Sequence, residues 1–391
     1  MNHVYVCLVS DQTIPNIIMA IHYGPDVLWF ISTEKMKENG KTECIKNTLQ
    51  LKGLLPPSID IEEVIVNQDS FADCTSKIEA LVEKIEKAAG DVEYLVNITG
   101  GNKVMALAAY EIFREIGQKV TINYMPIGKN DFVQFFPRKK PLKVCEVKER
   151  LTLEEYLSGY GFRIQNKDRF SAVKNRVLSN KDATKWILDN YEQLKDMLGF
   201  MYKHLEKKRA FKNHPFCQLF DRNLSKIENE MLDKYNFEIR DGLISKDLIK
   251  DEIVYLTGGW FEEYVFNEVY SLVQENILND AMIGVKIKRL SGTENELDIA
   301  FVKDNVFYHI ERKTLGNKKN QDIIRDEVYK RGAILSQLGL GEERAIICTT
   351  HDQINESKYR RAMDYGVNLL TIKQVRDLKN RLRERFGAKN E

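Results

Sequence analysis

The sequence predicts an α/β protein in three parts: an N-terminal α/β domain over residues 1–145, a helical connector over 146–250, and a second α/β domain over 251–391. Three observations carry that reading. At 391 residues the chain exceeds one typical domain. Its first part alternates short β-branched and aromatic runs with segments of helical spacing, the pattern of a parallel sheet covered by helices on both faces. Strand signals then vanish over the middle part and return in the last.

Taken in order, His3–Leu8, Val27–Ser32, Glu62–Val66, Glu93–Thr99 and Lys119–Met125 read as strands, with Phe132–Phe136 as a further strand at the edge. Asp73–Ala89 and Asn102–Ile116 carry apolar residues at helical spacing. In the connector, Trp186–Leu205 reads as a long charged helix, and Lys207, Lys208, Arg209, Lys212 and His214 as a solvated basic cluster rather than a nucleic-acid contact. The last part reads as a helix (Gly259–Val273) and strands Met282–Leu290, Glu296–Val302 and Val306–Lys313, the last two joined by the turn Lys303-Asp304-Asn305. Helix Asp322–Gln337, strand Arg344–Thr349, helix Lys358–Asp364 and strand Val367–Ile372 follow, and Lys373–Lys389 reads as a surface helix that frays.

Composition narrows the class. Lys and Arg number 59 against 58 Asp and Glu, so a protein that coats duplex non-specifically is disfavoured, although a local basic surface remains open. An apolar fraction of 43% can build a core in each domain. Cys7, Cys44, Cys74, Cys145, Cys217 and Cys348 are scattered without a CxxC pair, and His214 with Cys217 has no second pair to complete a zinc site. They read as reduced, mostly buried thiols of a cytosolic protein. The segment Met1–Ser10 reads as a strand rather than a signal peptide, and no apolar stretch approaches the roughly 18 residues that would span a bilayer.

Chemistry concentrates near the C-terminus. Asp298 interrupts the apolar run Leu297–Phe301, and Glu311 and Lys313 end the next run. Residues two apart on a strand share a face, so Glu311 and Lys313 point the same way, and the hairpin brings Asp298 beside Glu311. Such carboxylates, with the Arg312 carbonyl as a third ligand, suit Mg²⁺ or Mn²⁺. The ion would offset phosphate charge and lower the pKa of a water, with Lys313 positioning that water or stabilising the developing charge. Glu262 shares a helical face with Phe266, Val269 and Val273, so it is expected to point inward as a third carboxylate, with Glu263 on a wetter face beside Asn267 and Tyr270. The plain alternative, a strand-edge acid and a surface ladder, explains each residue singly but not all of them together.

A second constellation lies in the first domain. Thr99, Gly100, Gly101, Asn102 and Lys103 join a strand to a helix, where free N–H groups and a lysine cradle phosphate. The spacing is neither a Walker A nor a GxGxxG fingerprint. Ser10, Asp11, Gln12 and Thr13 follow the first strand, and ligands of open α/β sheets bind where both loops lie. A bare strand-to-helix bend is the structural alternative.

Glu262, Asp298 and Glu311-Arg312-Lys313, in helix–strand–strand–strand–helix order, resemble the PD-(D/E)xK restriction-endonuclease-like superfamily over about residues 251–372. Leu297 stands where the name of that superfamily has proline. The run Asn97–Lys103 resembles the signature of CARF domains, the Rossmann-like sensors associated with CRISPR. Together the two resemble the cyclic-oligoadenylate-activated CRISPR ancillary nucleases. That resemblance implies a homodimer binding one cyclic oligoadenylate, most often cyclic tetra-adenylate, as allosteric activator across both CARF domains, through Ser10, Gln12, Thr13 and Thr99–Lys103. It also implies metal-dependent cleavage of DNA and/or RNA in type III CRISPR antiviral defence. The competing expectation is a ligand-sensing nucleic-acid-binding regulator without cleavage activity, which would call for a compact helical C-terminus.

Overall fold

The computed structural model describes residues 2–55, 60–89, 92–289, 292, 294–314, 338, 339 and 344–387. The N-terminal part runs β1 (Asn2–Leu8), α1 (Ile14–Tyr23), β2 (Val27–Ser32), α2 (Glu34–Glu38), α3 (Lys41–Leu51), β3 (Asp60–Ile65), α4 (Phe71–Ala89), β4 (Val92–Asn97), α5 (Lys103–Ile116), β5 (Val120–Tyr124), β6 (Asp131–Phe136) and β7 (Lys143–Glu146). These strands form one sheet in the order β3-β2-β1-β4-β5-β6-β7, parallel through β5. Strand β1 is apolar on both faces because both are covered: Val4, Val6 and Leu8 pack with α4 and α5, and Tyr5 and Cys7 with α1 and α3. The expected edge strand Phe132–Phe136 is not the edge, since β7 pairs antiparallel beyond it.

The middle part departs from a purely helical connector. It contains α6 (Leu153–Gly159), β8 (Phe162–Ile164), α7 (Lys167–Ser179), α8 (Lys181–Asp189), α9 (Tyr191–Leu205), β9 (Asn213–Leu219), α10 (Lys226–Lys234), β10 (Glu238–Arg240) and β11 (Leu243–Ile249). Strands β10-β11-β9 form an antiparallel sheet, and β8 joins the C-terminal sheet by pairing with the strand Asp280–Arg289. The long helix expected over Trp186–Leu205 breaks at Asn190 into α8 and α9.

The C-terminal part has α11 (Lys250–Val254), a π-type turn (Tyr255–Gly259), α12 (Trp260–Gln274), β12 (Asp280–Arg289), β13 (Glu294–Lys303), β14 (Val306–Lys313), β15 (Ala345–Thr349) and β16 (Val367–Leu370). Its sheet runs β16-β15-β14-β13-β12-β8, antiparallel from β12 to β14 and parallel from β14 to β16. The expected helix Asp322–Gln337 lies outside the described residues. The basic C-terminal segment is packed rather than frayed over Leu378–Gly387: Leu378, Leu382 and Phe386 are buried at four-residue spacing, and Phe386 meets Tyr308 edge-on at 4.8 Å.

Two cores fix how these parts meet. One joins α8 to α10 with α12 and one face of the C-terminal sheet. The other runs from α1 and α3 through Tyr156 and Tyr160 to Val285, Ile347 and Phe307, so the first domain and the C-terminal sheet share one apolar interior. Cys7, Cys44, Cys74 and Cys348 are buried free thiols, as expected, while Cys217 is exposed. Among the described residues no helix is long and apolar enough to cross a membrane.

Candidate active site and ligand loops

The hairpin between β13 and β14 is set by its turn. Asp304 and Asn305 both take positive φ, which matches the twist of the flanking strands and fixes the register Ile299↔Ile310. Asp298 and Glu311 lie one rung beyond that pair. The Asp298 carboxylate accepts the Arg312 backbone N–H at 2.9 Å. On the opposite face of β14 from Glu311, the Arg312 guanidinium donates to Glu262 at 3.1 Å and approaches Asp298 at 3.8 Å. Glu262, in the first turn of α12, therefore shares a cation with Asp298. Burial pushes its carboxyl up to about 7, reinforced by repulsion from Asp298, although Arg312 pulls it down.

Glu311 and Lys313 share the other face, 3.0 Å apart, with Glu311 only 5% exposed. His309, buried on the same face, comes within 3.7 Å of Glu311. The expected residues thus meet as two neighbouring sets, Glu262–Arg312–Asp298 and Glu311–Lys313–His309. Among the described residues no cluster of three or more His, Cys, Asp or Glu is arranged to hold a metal. The donor set is nonetheless chemically suited to a hard divalent ion, because it is made of carboxylate oxygens: the part-exposed Glu262 and Asp298 gather around the Arg312 guanidinium, and Glu311 stands on the neighbouring face.

Sequence reasoning missed three contributors. His309 was legible as the residue two before Glu311. The Arg312 side chain was not, since its partner is 50 residues away. Arg209, assigned to a solvated cluster, instead donates to the Thr257 hydroxyl at 2.7 Å and to the Thr257 carbonyl. That contact fastens the kink from which α12 departs.

Glu263 corrects the helical phase. It is not on a wetter face: it is 4% exposed, with Arg176 at 3.4 Å and Asn180 at 3.2 Å, and Asn267 beside it is equally buried. That face packs on α7 and α8. Glu262→Ala is therefore expected to lower cleavage about 10²-fold, while Glu263→Ala lowers stability by about 1–3 kcal/mol and leaves the folded protein active. Melting curves paired with cleavage rates distinguish them, and the reverse pattern would exchange the two assignments.

In the N-terminal sheet the order of strand addition reverses between the parallel strands β1 and β4, so the loops after these strands flank the crevice where open α/β sheets take ligands. A buried network holds both loops: Asn97 donates to Tyr5 (3.0 Å) and Asn16 (2.9 Å), and Asn16 donates to the Leu8 carbonyl (2.9 Å). Thr99 donates to Asn97 and accepts the Met125 N–H at 2.8 Å. A Cβ on Gly100 would lie 2.0 Å from the Leu8 carbonyl oxygen, so close strand packing alone demands glycine there. Gly101 follows with positive φ, Asn102 caps α5 through the Met105 N–H at 3.0 Å, and Lys103 stands exposed in the first turn.

Across the crevice, Ser10 accepts the Gln12 N–H at 3.2 Å and Gln12 accepts from the Tyr160 hydroxyl at 3.0 Å. Thr13 departs from expectation. It is fully buried and its hydroxyl donates to the Gly159 carbonyl, so it joins α1 to α6 instead of facing the crevice. The fold also supplies a cation that no spacing announced: Lys41, 6% exposed, lies 3.0 Å from Asp11.

Residues 4–156 match the Card1 CARF domain family, and residues 249–389 match the Card1-like endonuclease domain family. The chain carries a Card1-type CARF domain and a Card1-like endonuclease domain. No curated protein matches it in sequence. Among solved structures, this chain superposes on protein VC1899 from Vibrio cholerae with a TM-score of 0.81, at 20% identity over 98% of each chain. Can2 from Sulfobacillus thermosulfidooxidans, solved with cyclic tetra-adenylate, gives 0.76 at 20% identity over 99% of this chain and 100% of that one. A type III CRISPR defence DNA nuclease activated by cyclic oligoadenylate gives 0.56 at 14% identity, over 90% of this chain and 46% of that one. At these identities the structures speak to the fold. The endonuclease assignment comes from the family match.

Proposed function

We propose that this protein is a metal-dependent endonuclease of type III CRISPR antiviral defence, switched on by cyclic oligoadenylate and acting in the cytoplasm as a homodimer on DNA and/or RNA. The observation that carries the reading is the union, in one chain, of a Card1 CARF domain whose loops open at a switch point and a Card1-like endonuclease domain. The similarity to Can2, solved with cyclic tetra-adenylate, supports that ring as the activator. A six-stranded C-terminal sheet carrying paired carboxylates disfavours the regulator reading, which needs a compact helical domain.

Asp298 and Glu311, with the Arg312 carbonyl, would hold Mg²⁺ or Mn²⁺. When bound, such an ion supplies Lewis-acid chemistry to the scissile phosphate. Lys313 orients the attacking water or supports charge developing on the phosphate, and Glu262 keeps Arg312 in place beside Asp298. In the first domain, Ser10, Gln12 and Thr99–Lys103 meet one half of a symmetric ring, and the same loops of a second copy meet the other half. Activation requires the ring to bind the active arrangement more tightly than the resting one.

A chain of buried contacts offers the route between the sites. Gln12 meets Tyr160, whose ring packs 5.3 Å from Tyr156. Tyr156 donates to the Leu338 carbonyl (2.8 Å), to which Arg344 also donates (3.1 Å). The Arg344 carbonyl accepts the N–H of His309, the neighbour of Glu311, at 3.0 Å.

Purified full-length protein is expected to cleave single-stranded DNA, duplex DNA or RNA only with both cyclic tetra-adenylate and Mg²⁺ or Mn²⁺, and EDTA is expected to stop it. Cleavage equal with and without the ring would remove the gating. Activity untouched by EDTA would remove the metal. No cleavage of any of the three substrates under full activation would remove the nuclease reading.

A further inference from the structure

Beside the end of β14 lies a cavity of about 200 Å³ between α9 and the Tyr255–Gly259 turn. Its walls include Tyr191, Tyr202, Trp260, Lys195, Gly199 and Thr314. Thr314 directly follows Lys313. Gly258, which also lines it, has a φ of +115° and approaches so closely that a Cβ would lie 2.9 Å from the Thr314 hydroxyl and 3.3 Å from the Arg312 guanidinium. The cavity therefore adjoins the strand that bears the cleavage residues.

Gly199 gives an independent reason to regard this space as kept open. It sits in the interior of α9, where glycine is disfavoured relative to alanine. It is exposed, and among the described residues no atom lies within 4 Å of where its Cβ would be, so their packing does not require its smallness. A side chain at 199 would instead enter the cavity. Two cations flank it. Arg209 spans from Thr257 to the Tyr202 ring, 5.9 Å from its centroid, and burial followed by repulsion from Arg312 holds Arg209 below the usual guanidinium range. Lys195 lines the cavity from α9, half-exposed and 3.4 Å from the equally exposed Glu192. Aromatic faces inside and cations at the mouth are what an unstacked nucleotide needs: a surface for the base and charge for the phosphate.

We propose that this cavity receives an unstacked base of the nucleic-acid substrate next to the scissile phosphate. The proposal rests on the nuclease reading above. Arg209 and Lys195 take the flanking phosphates, and the connector helix α9 forms the second wall of the substrate cleft. Recognition by stacking would tolerate any base, so the cavity fixes strand position rather than sequence.

The test compares a single-stranded oligonucleotide with one that is abasic next to the mapped cleavage position, using full-length protein and cyclic tetra-adenylate. Cleavage gives KM, and anisotropy in a Lys313→Ala background gives affinity. The intact strand is expected to bind about tenfold tighter than the abasic one, a difference that Gly199→Phe erases by weakening the intact strand alone. Gly199→Ala is expected to fold at least as stably as the parent and to lose part of the difference. Equal binding of both strands by the unsubstituted protein would overturn the proposal while leaving the nuclease intact, and so would a Gly199→Phe protein that still discriminates. Failure of the parent to cleave any nucleic acid would instead strike the nuclease reading itself.

Discussion

Lys313→Ala is expected to reduce activated cleavage by about 10²–10³-fold or more, the scale lost when one preorganised charge-stabilising group is removed. Glu311→Ala is expected to fall at least as far, because it takes a carboxylate from the proposed metal site. The two should differ in stability. Lys313 keeps 27% of its side chain exposed, so deleting Glu311 leaves a cation that water can reach. Deleting Lys313 leaves a carboxylate with 7% exposure short of its cation at 3.0 Å, costing about 1–3 kcal/mol. Lys313→Ala should therefore melt below Glu311→Ala, both remaining folded and both binding cyclic tetra-adenylate as the parent does. Single-turnover cleavage, melting curves and activator titration on the two variants check this. A well-folded Lys313→Ala protein cleaving at the parental rate would remove Lys313 from the site.

What the sequence disclosed follows from where burial is one-sided or complete. Strands β2 and β14 were legible to the residue because β-branched and aromatic runs end at clear turn residues. Helix α1 was not, since Ile14 to Ala20 are all buried and no polar stripe marks a period. Strands β9 and β11 hid for the opposite reason: Pro215, Lys246 and Asp247 dilute the alternation to a few buried residues such as Phe216, Ile244 and Leu248. The Asp241-Gly242 pair, both at positive φ, was the overlooked hairpin signal.

At the candidate site, Glu311 and Lys313 could be paired from the sequence because residues two apart on one strand share a face, whereas Asp298, expected beside Glu311, turns instead to Arg312 and Glu262. Choosing Glu262 over Glu263 required only that one face of α12 meet the sheet. The wet face imagined for Glu263 failed because α7 and α8, far away in sequence, cover it. Arg312 and Arg209 belong to the same class of surprise. Each acts through a guanidinium whose partner lies tens of residues away, and no local period records that.

The last expected result separates sensing from transmission. Lys103 stands exposed in the first turn of α5, whose N-terminus already favours phosphate. A charge-assisted hydrogen bond to phosphate contributes roughly 1.5–3 kcal/mol, about 10- to 100-fold in affinity. In a symmetric dimer Lys103→Ala strikes both halves of the ring, so the loss approaches twice that free energy. The variant should need far more cyclic tetra-adenylate to reach half-maximal cleavage, yet attain a comparable rate when saturated. Tyr160→Phe should behave differently. It removes one hydroxyl, the donor to Gln12 at 3.0 Å, from a buried position between the loops and the nuclease sheet. Ring binding persists through the phosphate contacts, but less of its free energy reaches the C-terminal sheet, so the saturated rate falls. Titrating cyclic tetra-adenylate against cleavage rate, with affinity measured separately by calorimetry, resolves the two. An unchanged half-saturation point would take Lys103 out of the ligand site, and a Tyr160→Phe protein with full saturated rate would break the route from Gln12 to His309.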